Sequence, residues 1–494
     1  MKKEKILKNP ISTYIQNWQA NTATSIITGP ALLLAFFFAS CEEPIEVESD
    51  LVPGGNNAEI RYVEIPLEIN HAAYDTLLVS TNVSILEGAR GQVFVGHQNN
   101  PEIGNFSAQA YFGAILSNSV NRDSVKFGSE VIETRLHLGF NYYYGTEYGN
   151  PQKFRLYQLA DTLKSSGIKS IENNKVNYYT VNDELSTSEE IAVNGTTIIN
   201  PKDTIPDYIS LGNNFGNDLL DLVRDEDLTP EEIYSTLKGF KLEVEPGQNN
   251  LQALSLAGQS SYFEVIYQSP TADTLQSVTF NLSSSSFTHV DFQPGSLIPS
   301  TFSGNNSFDL TDPSKAYFNN LLGISPKINL DPYLSFIDSV DYMQINKAEI
   351  IIESQNFTTL DTPFEQVRPA QAIIPYILEE TGGFKKQGRD FWAIQSNFTS
   401  NGGIANQSAG TSPTNLSYDD SKNQIRGDIS FFLQEIYNDP SFWTEGNNFV
   451  FTGQFIRVNN DAFTENPIIN IGNFDNFLVD KENIKLRIYY TTFK

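Results

Sequence analysis

The chain predicts a mainly β protein: two antiparallel β-sandwich-like domains with a few short helices, after a lipoprotein signal peptide. Three observations carry that prediction. Phe and Tyr are abundant, 34 and 23 in 494 residues, against two Met. Short segments alternate apolar and polar residues, with clusters of Gly, Asn, Asp and Pro between them, and a period of two places the apolar groups on one sheet face. Complete helix signatures are few.

Residues 1–40 read as the signal peptide. Lys2, Lys3, Lys5 and Lys8 form a basic head, and the apolar run 26–40 ends in the small residues Ala39 and Ser40. That run falls short of the ~20 residues a spanning helix needs, and Gly29-Pro30 interrupts it. Cys41, the single cysteine, comes next. This order makes Cys41 the new N-terminus and the bearer of acyl chains, so the membrane is expected to hold the protein through an N-terminal lipid. Residues 41–60, opening on Glu42 and Glu43, form an acidic tether.

The first sandwich domain is expected over 61–293. Its strands are 132–142, 154–159, 240–245, 262–267 and 278–282, each alternating through most of its length. A helix starts at Thr229, which caps it, with Pro230 at the first helical position and Glu232 reaching back to the cap amide. Gly239 stops it. Residues 294–306 are expected as a linker and 307–494 as a second sandwich domain with strands 345–352, 372–378, 450–456 and 484–490, the alternative being one larger curved sheet system. A helix over 430–437 is halted by Asn438-Asp439-Pro440. The stretch 383–420, rich in Gly, Asn and Ser, reads as a long exposed loop, of a length that is usually functional or disordered.

Charge limits the partners. Removing residues 1–40 takes away four lysines and Glu4 and leaves 28 basic against 58 acidic residues, a net of −30. Such a surface repels nucleic acid and anionic lipid. The four histidines, His71, His97, His137 and His289, contain no i, i+4 metal pair, and the sequence holds no zinc-protease, nucleophile-elbow or phosphate-loop motif. Asp225-Glu226-Asp227 lacks the alternating ligands and turn glycine of a calcium loop and reads as a solvated turn before a helix. No catalytic residue, metal ligand or cofactor is therefore assigned.

Two aromatic groups remain as candidate ligand contacts: Tyr142, Tyr143, Tyr144 and Tyr148 at a strand end, and Trp392 with Trp443 in the second half. Either they stack on sugar rings or they pack into core and edge. Three consecutive tyrosines cannot all face one side of a strand.

Several segments carry resemblances. Glu42-Glu43 after the lipidated cysteine resembles the surface-export signal of Bacteroidota lipoproteins, which implies an outer-membrane protein facing the exterior. The form Asp-Ser/Thr-aliphatic recurs at Thr76, Ser124, Thr162, Thr204, Thr274 and Ser339. It is similar to the O-glycosylation signal of exported Bacteroidota proteins, and it is also a good strand start. Tyr74-Asp75-Thr76-Leu77-Leu78-Val79, Gly96-His97-Gln98-Asn99-Asn100-Pro101 and Tyr142-Tyr143-Tyr144-Gly145 stand in the first half. Phe287-Thr288-His289-Val290-Asp291 follows mid-chain, and Leu486-Arg487-Ile488-Tyr489-Tyr490-Thr491 ends the sequence. Together they resemble the Bacteroidota lipoproteins that carry the domain of unknown function 4270. The resemblance implies location and architecture and assigns no catalytic residue. The function expected is a non-enzymatic accessory or scaffold for an outer-membrane protein partner. A glycan-binding lipoprotein is the alternative, and a polysaccharide hydrolase using acidic catalysts is the third reading.

Overall fold

The computed structural model describes residues 58–74, 92–145, 147–148, 150–163, 184–198, 207–256, 260–302, 307–353, 373–387, 390–396, 413–443, 447–453, 474 and 476–493. Contacts divide the chain into a small unit, Met1–Arg61 with Thr491–Lys494, and a large one, Tyr62–Tyr490. In the small unit Arg61 pairs with Glu59 at 2.9 Å. Among the described residues strand makes up 55% and helix 14%, so the protein is mainly β, built of several antiparallel sheets.

A 13-stranded sheet holds the strands between Gln92 and Pro294. Its main path runs Pro151–Leu159, Phe240–Val244, Gly104–Leu116, Gln276–Pro294, Tyr262–Gln268, Glu130–Leu138, Asp207–Leu211. The segment Thr187–Ile198 joins the two ends of that path. Ala192–Asn194 pairs with Asp207–Leu211, while Thr196–Ile198 pairs with Pro151–Leu159. Around the join, Ile191 donates to Leu156 O at 2.9 Å and accepts from Gly212 N at 3.1 Å. The sheet thus curls until its ends meet, which covers backbone groups that an open edge would leave unpaired. Inside the curl, helix Asn213–Arg224 buries Phe215, Leu219, Leu220 and Val223 against Leu136, Phe240 and Phe263. Gly216 allows this closeness: a Cβ there would lie 2.0 Å from Thr134 Oγ1.

A six-stranded sheet has both faces covered. Its strands Lys315–Asn319 and Asn448–Thr452 send Phe318, Phe449 and Phe451 to one core and Tyr317 and Val450 to another. Period-two alternation with both faces apolar explains the unbroken run Phe449-Val450-Phe451. The first core also takes Ile350, Ile352, Leu486 and Ile488 from a five-stranded sheet. Spatial order in that sheet is Ala58–Pro66, Ile484–Phe493, Gln344–Glu353, Gln424–Asp428, Ser417–Asp419. The second core takes Phe94, Phe106, Tyr142 and Leu251 from the large sheet.

Glu68–Ala73, early in the sequence, pairs with Ile324–Asn329 of the six-stranded sheet. Leu297 and Ile298, within the expected linker, are 6% and 2% exposed and belong to the core that both halves share.

Helix Pro230–Leu237 carries the expected capping box: Glu232 N donates to Thr229 Oγ1 at 3.2 Å, and Thr229 N donates to Glu232 Oε2 at 2.8 Å. The helix predicted over 430–437 is Ser430–Asn438. The strand predicted over 132–142 is two strands, Glu130–Leu138 and Phe140–Gly145, with different partners. The break falls at Gly139, where a Cβ would lie 2.2 Å from Ser260 O.

Candidate functional site

The outward face of the large sheet carries the most distinctive surface. Register aligns Tyr208 with His137, His137 with Tyr262, Tyr262 with Asn281 and Asn281 with Ile115. One row of side chains therefore crosses five strands. The next row aligns Ser210, Arg135, Glu264 and Thr279. Tyr208 and Ile115 are 43% and 42% exposed, although their strand neighbours Ile209 and Ala114 are each 1% exposed.

Planar groups in these rows hold one another in place. The His137 ring stacks on Tyr262 with centroids 4.3 Å apart and planes 16° apart. His137 Nε2 lies 3.0 Å from Glu264 Oε2. Arg135 Nη2 donates to Glu133 Oε2 at 2.5 Å, and the Arg135 guanidinium sits 4.5 Å from the Tyr208 ring centroid. The bond from Arg135 holds the Glu133 carboxyl below its ordinary range, while burial, then Glu264, pushes the Tyr262 phenol up. Tyr208 and Tyr262 thus each have a ring face packed on a neighbouring guanidinium or imidazole. Tyr and Arg are the residue types over-represented among those that carry contact energy at protein interfaces.

The outer face of the five-stranded sheet is charged. Glu64 and Glu353 share Lys485 and Arg487, with N–O distances of 2.8–3.2 Å. Further along, Arg426 pairs with Asp419 at 2.8 Å and Glu349 at 3.5 Å, and Lys347 pairs with Glu349 at 3.1 Å. A groove of about 660 Å³ opens there, lined among others by Glu349, Ser417, Asp419, Ser421, Arg426 and Asp428. Hydrogen bonds from Ser421 hold the Asp419 carboxyl low, aided by Arg426. Among the described residues no group of three or more His, Cys, Asp or Glu is placed to hold a metal ion, and no helix is long and apolar enough to cross a membrane.

Burial decides where the sequence-nominated aromatics stand. Tyr142, Tyr148 and Trp443 are 7%, 4% and 1% exposed, so these rings offer no face to a ligand in water. Tyr148 donates to Leu251 O at 2.7 Å, and Trp443 packs edge-on against Phe432 at 5.4 Å. Tyr144 is half-buried and packs edge-on against Phe474 at 4.8 Å. Tyr143, also half-buried, lies on the opposite face of the strand against Tyr148 at 5.6 Å. Trp392, half-buried, has Lys385 Nζ over its ring at 4.4 Å.

Cys41, Glu42, Glu43, Thr76 and Thr204 lie outside the described residues. Of the other tripeptide positions, Ser124 sits in the single turn Arg122–Ser124, and Thr162 follows strand Pro151–Leu159. Thr274 lies in the turn before Gln276–Pro294, and Ser339 follows helix Asp331–Ile337. None of these four is in a strand, and Thr274 and Ser339 are exposed.

The strands of His137 and Tyr262 are legible in the sequence, but the row they form is not. Alternation in 208–211 and 262–266 marks Tyr208, Tyr262 and Glu264 as outward-facing, and that signal could have found them.

Comparison with known proteins adds no relative: no family model, no curated protein and no solved structure matches the chain.

Proposed function

We propose that this chain is a lipid-anchored, non-enzymatic accessory or scaffold protein of the outer membrane, facing the cell exterior, that binds an envelope protein partner. The signal peptide, Cys41 and the acidic start Glu42-Glu43 support the location. One observation carries the binding: the row Tyr208, His137, Tyr262, Asn281 and Ile115 on the outward sheet face, exposed at its two ends Tyr208 and Ile115 and fixed by Arg135 and Glu264.

The test is affinity capture from mildly solubilised outer membranes, with a tag after Lys494 and mass spectrometry of what copurifies. A stoichiometric barrel or lipoprotein partner is expected with the wild type. The double variant Tyr208→Ala/Ile115→Asp should lose it at least ~10-fold, as hot-spot substitutions do, while Asp419→Asn retains it. Equal capture by all three proteins would remove the assigned face.

A second reading, glycan binding, is favoured by the polar groove between Glu349 and Asp428, whose paired carboxylates and guanidinium match the hydroxyls of a sugar. A glycan array separates the two: binding above background that disappears in Asp419→Asn supports the second, and a blank array leaves the first.

A further inference from the structure

Phe127 is 95% exposed. It stands at the tip of a turn closed by Ser129 N donating to Lys126 O at 3.1 Å, next to Gly128 with φ +86°. The turn is held from behind. Arg224 Nη2 donates to Ser129 O at 3.1 Å, and Arg122 donates through Nε to Val223 O at 3.1 Å and through Nη1 to Leu228 O at 2.9 Å. Val125, two residues before Phe127, is 5% exposed and belongs to the large core. The ring is therefore presented on a braced loop.

Other apolar groups share this end of the sheet. A Cβ on Gly128 would lie 4.0 Å from Pro270 Cγ, in the turn that joins Tyr262–Gln268 to Gln276–Pro294. That turn carries Leu275, 55% exposed. Ile132, 48% exposed, sits beside the register shift at Ile266/Tyr267 on the adjacent strand. Single exposed apolar residues need no explanation. Three at one end of one sheet, with a phenyl ring projecting from a fixed loop, do.

We propose that this end of the large sheet, led by Phe127, inserts into the interfacial layer of a lipid bilayer. A projecting tip has no walls to complement a folded partner, whereas a bilayer accepts a convex apolar group without shape matching. Asp123, Glu130 and Asp273 are exposed around it, against Lys126, so the matching surface is zwitterionic and not anionic. The tether is the stretch 42–57, between the expected lipid site Cys41 and strand Ala58–Pro66. The inference rests on the lipid-anchor reading in this respect, because a tether raises the local concentration of bilayer and lets a weak insertion set orientation.

The test uses the mature, lipidated chain carrying Phe127→Trp on phosphatidylcholine vesicles with brominated acyl chains, with wild type as the blank for Trp392 and Trp443. Expected are a blue-shifted emission from the introduced indole and quenching by roughly half. Protein that floats with the vesicles while that indole keeps its aqueous emission, unquenched, overturns the insertion and leaves the anchor standing. Intact mass checks the anchor separately. If Cys41 carries no acyl chains, the anchor reading fails, and the tip is judged at high lipid with the unlipidated Cys41→Ser/Phe127→Trp chain, where quenching supports insertion and its absence overturns it. Shielding of the introduced indole from acrylamide by a copurified protein, with no quenching by lipid, would make the tip a protein contact and overturn the proposal.

Discussion

Arg487 meets Glu64 across 423 positions of sequence, its Nη2 donating to Oε1 at 2.8 Å. Lys485 Nζ lies 2.8 Å from Glu64 Oε2, and the Tyr62 hydroxyl donates to the same carboxylate. The first and last strands of the five-stranded sheet are neighbours, so this cluster joins opposite ends of the chain on the outside of a core whose inside is held by Val63, Ile65, Leu486 and Ile488.

Acid should weaken that junction. Burial alone would raise the Glu64 carboxyl, but Lys485, Tyr62 and Arg487 outweigh it and bring it down to about 2. A depressed carboxyl contributes stability that is complete above its unfolded value near 4.5 and is lost as pH falls toward 2. Glu64→Gln should lower stability at pH 7 by on the order of 1–2 kcal/mol, after discounting for solvent screening, and should flatten the acid limb below pH 4.5. Denaturant melts at pH 7, 4 and 2.5 measure both effects.

His71 acts in a higher window. It is fully buried, and its Nε2 accepts from Tyr317 N at 3.0 Å, which requires an unprotonated Nε2. Burial, helped by the Lys481 charge, lowers its pKa to about 3. The unfolded chain takes up this proton near 6.5 and the folded chain does not, so stability is complete above pH 6.5 and falls as pH drops toward 3. Between pH 6.5 and 5 the loss is about 2 kcal/mol. In His71→Gln, which keeps an acceptor for Tyr317, that part of the slope should vanish. An unchanged slope would locate the titration elsewhere.

Gly216→Ala sets two effects in opposition. Alanine favours the helix by about 1 kcal/mol, but its Cβ would fall 2.0 Å from Thr134 Oγ1 and 3.0 Å from Val131 Cγ1. Overpacking should win and lower stability by about 1–3 kcal/mol, and Thr134→Ala in the same chain should recover much of the loss. Thermal melts of the two single variants and the double one complete the cycle.

The Asp-Ser/Thr-aliphatic positions make a mass prediction. Thr274 and Ser339 are exposed, whereas Thr162 is half-buried and its hydroxyl donates to Ser235 O at 3.2 Å. Protein purified from its own envelope should carry hexose increments, and Thr274→Val and Ser339→Ala should remove more of that mass than Thr162→Val. A bare polypeptide mass would leave the tripeptides as turn residues whose aliphatic member packs inward, as Val125 and Leu163 do at 5% and 0% exposure.

Strands and the capped helix were legible because alternation and the Thr229–Glu232 box are local signals. Helix Asn213–Arg224 was missed: its N-cap is Gly212, with no side-chain cap bond, even though Phe215, Leu219, Leu220 and Val223 keep helical spacing. Strand Thr187–Glu190 is exposed along its length and shows no alternation at all. The aromatics misled for a related reason. Alternation tells which residues share a face but not whether water reaches it, and Tyr142 lies where the large sheet meets the shared core. The Tyr208 row was hidden because register, not spacing, assembles it.

The segment Thr187–Ile198 lies, in sequence, between the two strands it links, Pro151–Leu159 and Asp207–Leu211. Its connections are residues 160–186 and 199–206, and closure entropy grows only slowly with loop length, so this seam can form before the more distant strands 104–138 and 240–294 fill the circumference. The curl would then grow outward from a locally built hinge. During synthesis its two ends would already be occupied, leaving fewer bare strand edges to meet a neighbouring nascent chain.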